Sequence, residues 1–115
     1  MATVLLNVSA EELRALNRQF GGVVQMNSTV ETVFESALYL QSFWERVAVV
    51  VRSIAGGHLF DNGNKRTAFA AVGLFRERNH IVTGTLPQRL RETISLVAIH
   101  ELTEIPAIAT SLRGF

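Results

Sequence analysis

Apolar residues recur along this chain at helical rather than alternating spacing, interrupted by glycine pairs and capping residues. Ser9-Ala10-Glu11-Glu12 has the form of a capping box: the serine hydroxyl accepts from the backbone N–H three residues on, and the glutamate reaches back. The first helix is predicted to begin there, to carry Leu13, Leu16 and Phe20 on one stripe, and to stop at Gly21-Gly22. Ser28-Thr29-Val30-Glu31 repeats the box and opens a second helix through about Gln41, with Phe34, Leu38 and Gln41 along one face. From Phe43 to Ala55 a third helix has Trp44, Val47, Ala48, Val51 and Ile54 on one stripe, with Val49 and Val50 off it. Being apolar nearly all round, it is the helix expected to be buried.

Gly56-Gly57 ends that helix, and after a polar segment from His58 a fourth is predicted from about Asn64 to Arg78, with Asn79 as its stop signal. Ile81-Val82-Thr83-Gly84 reads as a short extended piece. Pro87 suits the first turn of a fifth helix reaching about His100, and Pro106 the start of a last one. The fold class is therefore expected to be all-α, a compact bundle of about six helices with almost no sheet. No repeat, low-complexity stretch or Pro/Ser-rich linker interrupts it, so residues 1–115 read as a single domain.

Composition narrows the function classes. The 115 residues have room for one domain, and with 48% of them hydrophobic the chain can bury a core. The absence of cysteine excludes disulfides, zinc ribbons and thiol catalysis, and it fits a cytoplasmic setting. Eleven Lys+Arg against ten Asp+Glu give a net charge of +1, well short of the basic excess of a protein held on DNA phosphates; nucleic acid is not an expected partner. No apolar run approaches the ~18 residues of a membrane-spanning helix, and the N-terminus lacks the basic start of a signal peptide. A soluble protein with no membrane partner is expected.

The segment from Gly56 to Thr67 is unlike the rest, packing a histidine, an acid, two amides, glycines and two cations between two apolar helices. If Gly63-Asn64-Lys65 opens the fourth helix, the N–H groups of its first turn lack partners and the helix dipole adds positive potential, so an anion is favoured there. Lys65 and Arg66 at that end oppose the dipole by roughly 0.3–1 kcal/mol each, where a purely structural sequence prefers acids; a phosphate would account for them. Gly63 leaves the backbone open to a ligand, Asn64 can donate through its amide, and Arg66 can offer a two-pronged fork to phosphate oxygens. His58 could take a proton from an attacking hydroxyl. Against this stands the ordinary reading, in which Asn-Gly and Gly-Gly are turn residues and a lone histidine near a turn is merely solvated. From the chemistry of the residues alone the two readings stand level.

The run His58-Leu59-Phe60-Asp61-Asn62-Gly63-Asn64-Lys65-Arg66-Thr67-Ala68 resembles the signature of the Fic/Doc family: histidine, any residue, phenylalanine, two more residues, glycine or alanine, asparagine, glycine or lysine, then arginine. Lys65 replaces the glycine of the AMP-transferring Fic branch, and Phe69 stands where that branch often has a second arginine. Both make the chain more similar to the Doc, or death-on-curing, toxins. Ser9 to Leu13 with Leu16 and Gly21-Gly22 is similar to the Doc N-terminal helix and its exit. Leu74-Phe75-Arg76 with Asn79-His80 is similar to the Doc segment on the C-terminal side of the motif.

The resemblance implies a Fic/Doc-like bundle in which His58 is the general base on a target hydroxyl and Phe60 anchors the loop in the core. Gly63, Asn64, Lys65 and Arg66 would bind nucleotide phosphates, with ATP as substrate and Mg²⁺ as cofactor. It further implies a toxin of a toxin–antitoxin pair that moves the ATP γ-phosphate onto a protein hydroxyl, with translation elongation factor Tu as target. The alternatives are AMP transfer with the nucleotide reversed, and a catalytically degenerate module that binds only nucleotide or a partner. The last arises because the family's metal-binding acid, two residues after Phe60, is here Asn62, with an acid one place earlier at Asp61. These two are the candidate metal ligands, and an asparagine can ligate Mg²⁺ through its carbonyl but brings no charge. The inhibitory stretch of some family members, Ser or Thr, three residues, then Glu and Gly or Asn, is absent, so restraint is expected from a separate antitoxin chain. Gly21 to Ser28 is also short for the β-hairpin flap that usually covers the target peptide.

Other candidates carry less. His80 and His100 read as helix-end residues, and three histidines with no close acid pair do not make a zinc site by spacing. Phe34, Phe43, Trp44, Phe69 and Phe75 read as core. Glu31 with Glu35, and Arg89 with Glu92, read as solvated helix faces, so no paired-carboxylate hydrolase emerges.

Overall fold

Ser9 closes the capping box that its sequence announces. Its Oγ accepts from the Glu12 N–H at 3.1 Å, and its own N–H donates to the Glu12 carboxylate at 3.0 Å. In this computed structural model, which describes residues 3–114, helix α1 runs from Ala10–Gln19. Before it lies a minimal antiparallel ribbon of β1 (Val4–Leu5) and β2 (Val8–Ser9), with Val4 opposite Ser9 and Leu5 opposite Val8. Five further helices come after it among the described residues: α2 (Val30–Ala37), α3 (Phe43–Val51), α4 (Asn64–Arg78), α5 (Pro87–Ala98) and α6 (Ile105–Arg113). The molecule is all-α apart from that ribbon.

Helix α3 sits at the centre, as its all-round apolarity requires. Val47 to Val51 are all buried, and the helix packs on α2, α4 and α6. Phe34 of α2 and Phe75 of α4 meet edge to face with ring centroids 6.3 Å apart, both fully buried. Phe43, Trp44 and Phe69 are only partly buried and pack against the outside of this core. No helix is long and apolar enough to cross a membrane among the described residues.

The second helix departs from its sequence reading at both ends. Its cap is Thr29 and not Ser28: the Thr29 Oγ1 accepts from the Thr32 N–H at 3.1 Å, and Gln25 supplies a second acceptor to the Val30 N–H at 2.8 Å. Glu31, the acid expected to close a box with Ser28, instead takes both prongs of the Arg14 guanidinium at 2.9 and 2.8 Å, tying α1 to α2 rather than standing on a solvated face. The helix stops at Ala37 because the next one needs its own start. Ser42 caps α3 through the Glu45 N–H, and Arg46 donates back to the Leu40 carbonyl at 2.7 Å. Leu38 and Gln41, expected on the apolar face, are exposed.

The third helix does not run unbroken to Ala55. From Arg52–Gly56 the backbone widens into a π turn, in which the Gly57 N–H donates to the Arg52 carbonyl at 3.0 Å. Ile54 and Ala55 stay in the core while Arg52 turns outward. The Ile81 to Gly84 piece forms no strand. Arg76 holds it instead, donating to the Ile81 and Val82 carbonyls.

Candidate functional site

The π turn delivers the chain into the motif loop. Gly57 is pressed against the turn it leaves, for a Cβ there would lie 2.7 Å from the Ser53 carbonyl oxygen. His58 comes next at φ 47°, a left-handed conformation uncommon for a residue with a side chain. Asn27 holds it there, its amide donating to the Gly57 carbonyl at 2.9 Å and the His58 carbonyl at 3.1 Å. His58 itself is exposed, whereas Leu59 and Phe60 turn into the core.

The segment around Gln25 meets the loop in an antiparallel bridge, paired at Gln25 and Phe60. The Met26 N–H donates to the Leu59 carbonyl at 2.7 Å and the Asp61 N–H to the Val24 carbonyl at 2.9 Å. The Asp61 Oδ1 accepts from the N–H groups of both Val23 and Val24, at 2.8 and 3.1 Å. Those two donors hold the Asp61 carboxyl below its ordinary pKa.

At the far side of the loop Gly63 turns the chain into α4 at φ 69°. Only glycine fits, since a Cβ would lie 2.4 Å from the Phe20 carbonyl oxygen. No side chain caps α4 and no acid stands in its first turn, so the N–H groups of that turn and the cations Lys65 and Arg66 face the same space. Arg14 pairs with Glu11 and Glu31, and Arg78 with Glu12, whereas Lys65 and Arg66 enter no ion pair among the described residues. The Asn64 side chain also has a structural use. Its Oδ1 accepts from the Phe60 N–H at 3.0 Å and its Nδ2 donates to the Phe60 carbonyl at 2.8 Å, so the amide closes the loop on itself. Asn64 keeps its backbone N–H and the second hydrogen of its Nδ2 for a ligand.

His58, Asp61, Asn62, Gly63, Asn64, Lys65 and Arg66 line one open cleft of about 640 Å³ together with Phe20, Ala55 and Ala98. Phe60 lies beneath it, buried. As a metal centre the cleft is poorly furnished. The Asn62 Oδ1 accepts from the Gly63 N–H at 2.9 Å, Asp61 is engaged as described, and no group of three His, Asp or Glu that could hold a metal occurs among the described residues. The donor set does not fit a protein-built Mg²⁺ site.

Two features escape sequence reading. Asn17 is 2% exposed, and its Nδ2 donates to the Asn62 carbonyl at 2.9 Å and to the Thr67 Oγ1 at 3.0 Å, joining α1, the motif loop and α4. Its sequence signal is a polar residue amid the apolar stripe of α1, four after Leu13. The other is Arg91 of α5, whose guanidinium carbon lies 4.8 Å from the centroid of the Phe69 ring.

This arrangement is an uncapped, acid-free helix start beside two cations, with an exposed loop histidine lining the same cleft, carried by an all-α bundle. A family model described as the Fic/DOC family matches residues 5–76, which takes in α1 to α3 and the whole motif loop. The chain belongs to the Fic/DOC family. Its members are usually transferases that act on proteins with nucleotides. A search of curated proteins gave no significant match.

Proposed function

We propose that this protein is a Doc-like toxin of a toxin–antitoxin pair. It transfers the γ-phosphate of ATP to a hydroxyl of a protein target, for which translation elongation factor Tu is the proposed candidate, and a separate antitoxin chain restrains it. The observation that carries the reading is the convergence in one cleft of an exposed histidine with an uncapped, acid-free helix start bearing two unpaired cations. The α4 N–H groups, Lys65 and Arg66 would hold the phosphates and neutralise charge that builds up as the phosphoryl group moves. A neutral His58 ring nitrogen would take the hydroxyl proton as the target oxygen bonds to the γ-phosphorus. The bond from that phosphorus to the bridging oxygen breaks, and ADP leaves with the electron pair. Mg²⁺ is proposed to enter with ATP, drawing its ligands mainly from phosphate oxygens and water.

A second reading, a degenerate binding module, is favoured by the engagement of both Asp61 and Asn62 oxygens within the loop. Intact-mass analysis of elongation factor Tu after incubation with the protein, ATP and Mg²⁺ separates the readings. The expected result is a gain of one phosphate, reduced about 10²–10⁴-fold in rate by His58→Ala. A gain of AMP would instead assign AMP transfer. A gain seen only with Asn62→Asp would establish the degenerate module, and no gain with any variant would sink the transferase reading for this target.

A further inference from the structure

A second cleft, of about 420 Å³, opens between α4 and α5 and shares Phe20, Lys65 and Arg66 with the motif cleft. Its remaining polar lining comes from Arg91 and Ser95, and its apolar lining from Phe20, Phe69, Ala70 and Ile94. No acid lines it, and none of its three cations is in an ion pair among the described residues. Three unneutralised cations around one depression repel one another unless an anion occupies it.

Phe69 lies four residues beyond Lys65 on α4, about 6 Å further along the helix axis. Its ring face carries the Arg91 guanidinium, so this cation is held by contact with the ring rather than left to wander. That same contact covers one face of Phe69, which argues against the ring as a platform for a base. The Arg91 planar fork matches phosphate oxygens.

We propose that Arg91 is a phosphate-binding residue, and that the α4–α5 cleft receives the part of a polyphosphate chain extending beyond the motif loop. This rests on the reading of the α4 start as a phosphate site, but not on any transfer reaction. The ligand chemistry is shared by a free polyphosphate and by a nucleotide's phosphate chain.

The test is calorimetric titration of the full chain with inorganic tripolyphosphate, ATP and adenosine, for the unaltered protein and for Arg91→Gln, Arg91→Lys and Arg89→Gln. Arg91→Gln is expected to weaken tripolyphosphate and ATP about tenfold while leaving adenosine as it was. Arg91→Lys, which keeps charge without the fork, is expected to fall between. Arg89→Gln removes the same charge from an exposed position on the same helix and is expected to keep full affinity. Equal losses in the Arg89 and Arg91 variants, no tripolyphosphate binding by the unaltered protein, or a matching loss of adenosine would each overturn the proposal. Its failure is distinguishable from failure of the kinase reading. Phosphate transfer that survives Arg91→Gln with unchanged ATP affinity removes only Arg91. Arg91-dependent tripolyphosphate binding with no transfer to any protein removes only the kinase.

Discussion

Asn17 shows how one buried polar residue can govern a loop it does not belong to. With its amide gone, the Asn62 carbonyl and the buried Thr67 hydroxyl each lose a partner. Asn17→Ala is therefore expected to cost about 1–3 kcal/mol, read from urea unfolding. Gly22 provides the check on cause: a Cβ at that position would lie 1.8 Å from the Asn17 Oδ1, so Gly22→Ala must displace the Asn17 side chain. The two substitutions should be strongly non-additive, Gly22→Ala costing much less in an Asn17→Ala background than alone; simple additivity in the double-mutant cycle would refute the shared route. In the sequence, the Gly21-Gly22 pair is legible only as a helix exit. The close approach of α1 that requires the second glycine depends on a contact between residues distant along the chain, and no local pattern encodes it. The Asn64 amide is ambiguous in the sequence for a related reason: a loop-closing asparagine and a phosphate-donating one look alike until the Phe60 backbone is placed beside it.

Elements whose signals are local were legible, and those whose ends depend on neighbours were not. The α1 capping box and the buried α3 follow from spacing alone. The cap of α2 moved one residue because Arg14, on another helix, competes for Glu31, and the π turn has no periodicity to betray it. The start of α4 lies between these cases. Its acid-free first turn is a sequence fact, but its uncapped geometry and its unpaired cations are structural ones. A helix start whose cations oppose its dipole should be improvable as a helix. Lys65→Glu is expected to raise stability by roughly 0.5–1 kcal/mol, since it replaces an unfavourable charge with a favourable one. The same variant should lose tripolyphosphate binding. A variant that is no more stable, measured by urea midpoint, would mean that the α4 dipole is already screened and that the conflict between Lys65 and the helix is not a sign of function.

At the scale of the molecule, α1 acts as a strap. Arg14 fastens it to α2, Asn17 to the motif loop, and Glu12 to α4 through a charge-assisted contact with Arg78. Glu12 is thus held by groups far apart in sequence, and the Arg78 guanidinium, aided by the Ser9 N–H, lowers its pKa from 4.5 to about 2. Arg14 acts on Glu31 in the same direction, as do the Val23 and Val24 N–H groups on Asp61. In the unfolded chain Glu12 takes up its proton near pH 4.5, whereas in the folded protein it stays ionised down to about pH 2. Between those values the unfolded state binds more protons, so the Glu12 contribution is fully present above pH 4.5 and drains away as the pH falls toward 2. These are solvent-exposed contacts, so each contribution is modest and weakens with salt. Glu12→Gln keeps an oxygen for the Ser9 N–H but cannot titrate. Its thermal midpoint is expected to lie below that of the unaltered protein at neutral pH, and the gap should close as the pH is lowered through that window. A gap that stays constant down to pH 2 would show that Glu12 stabilises the strap by its hydrogen-bonding geometry rather than its charge.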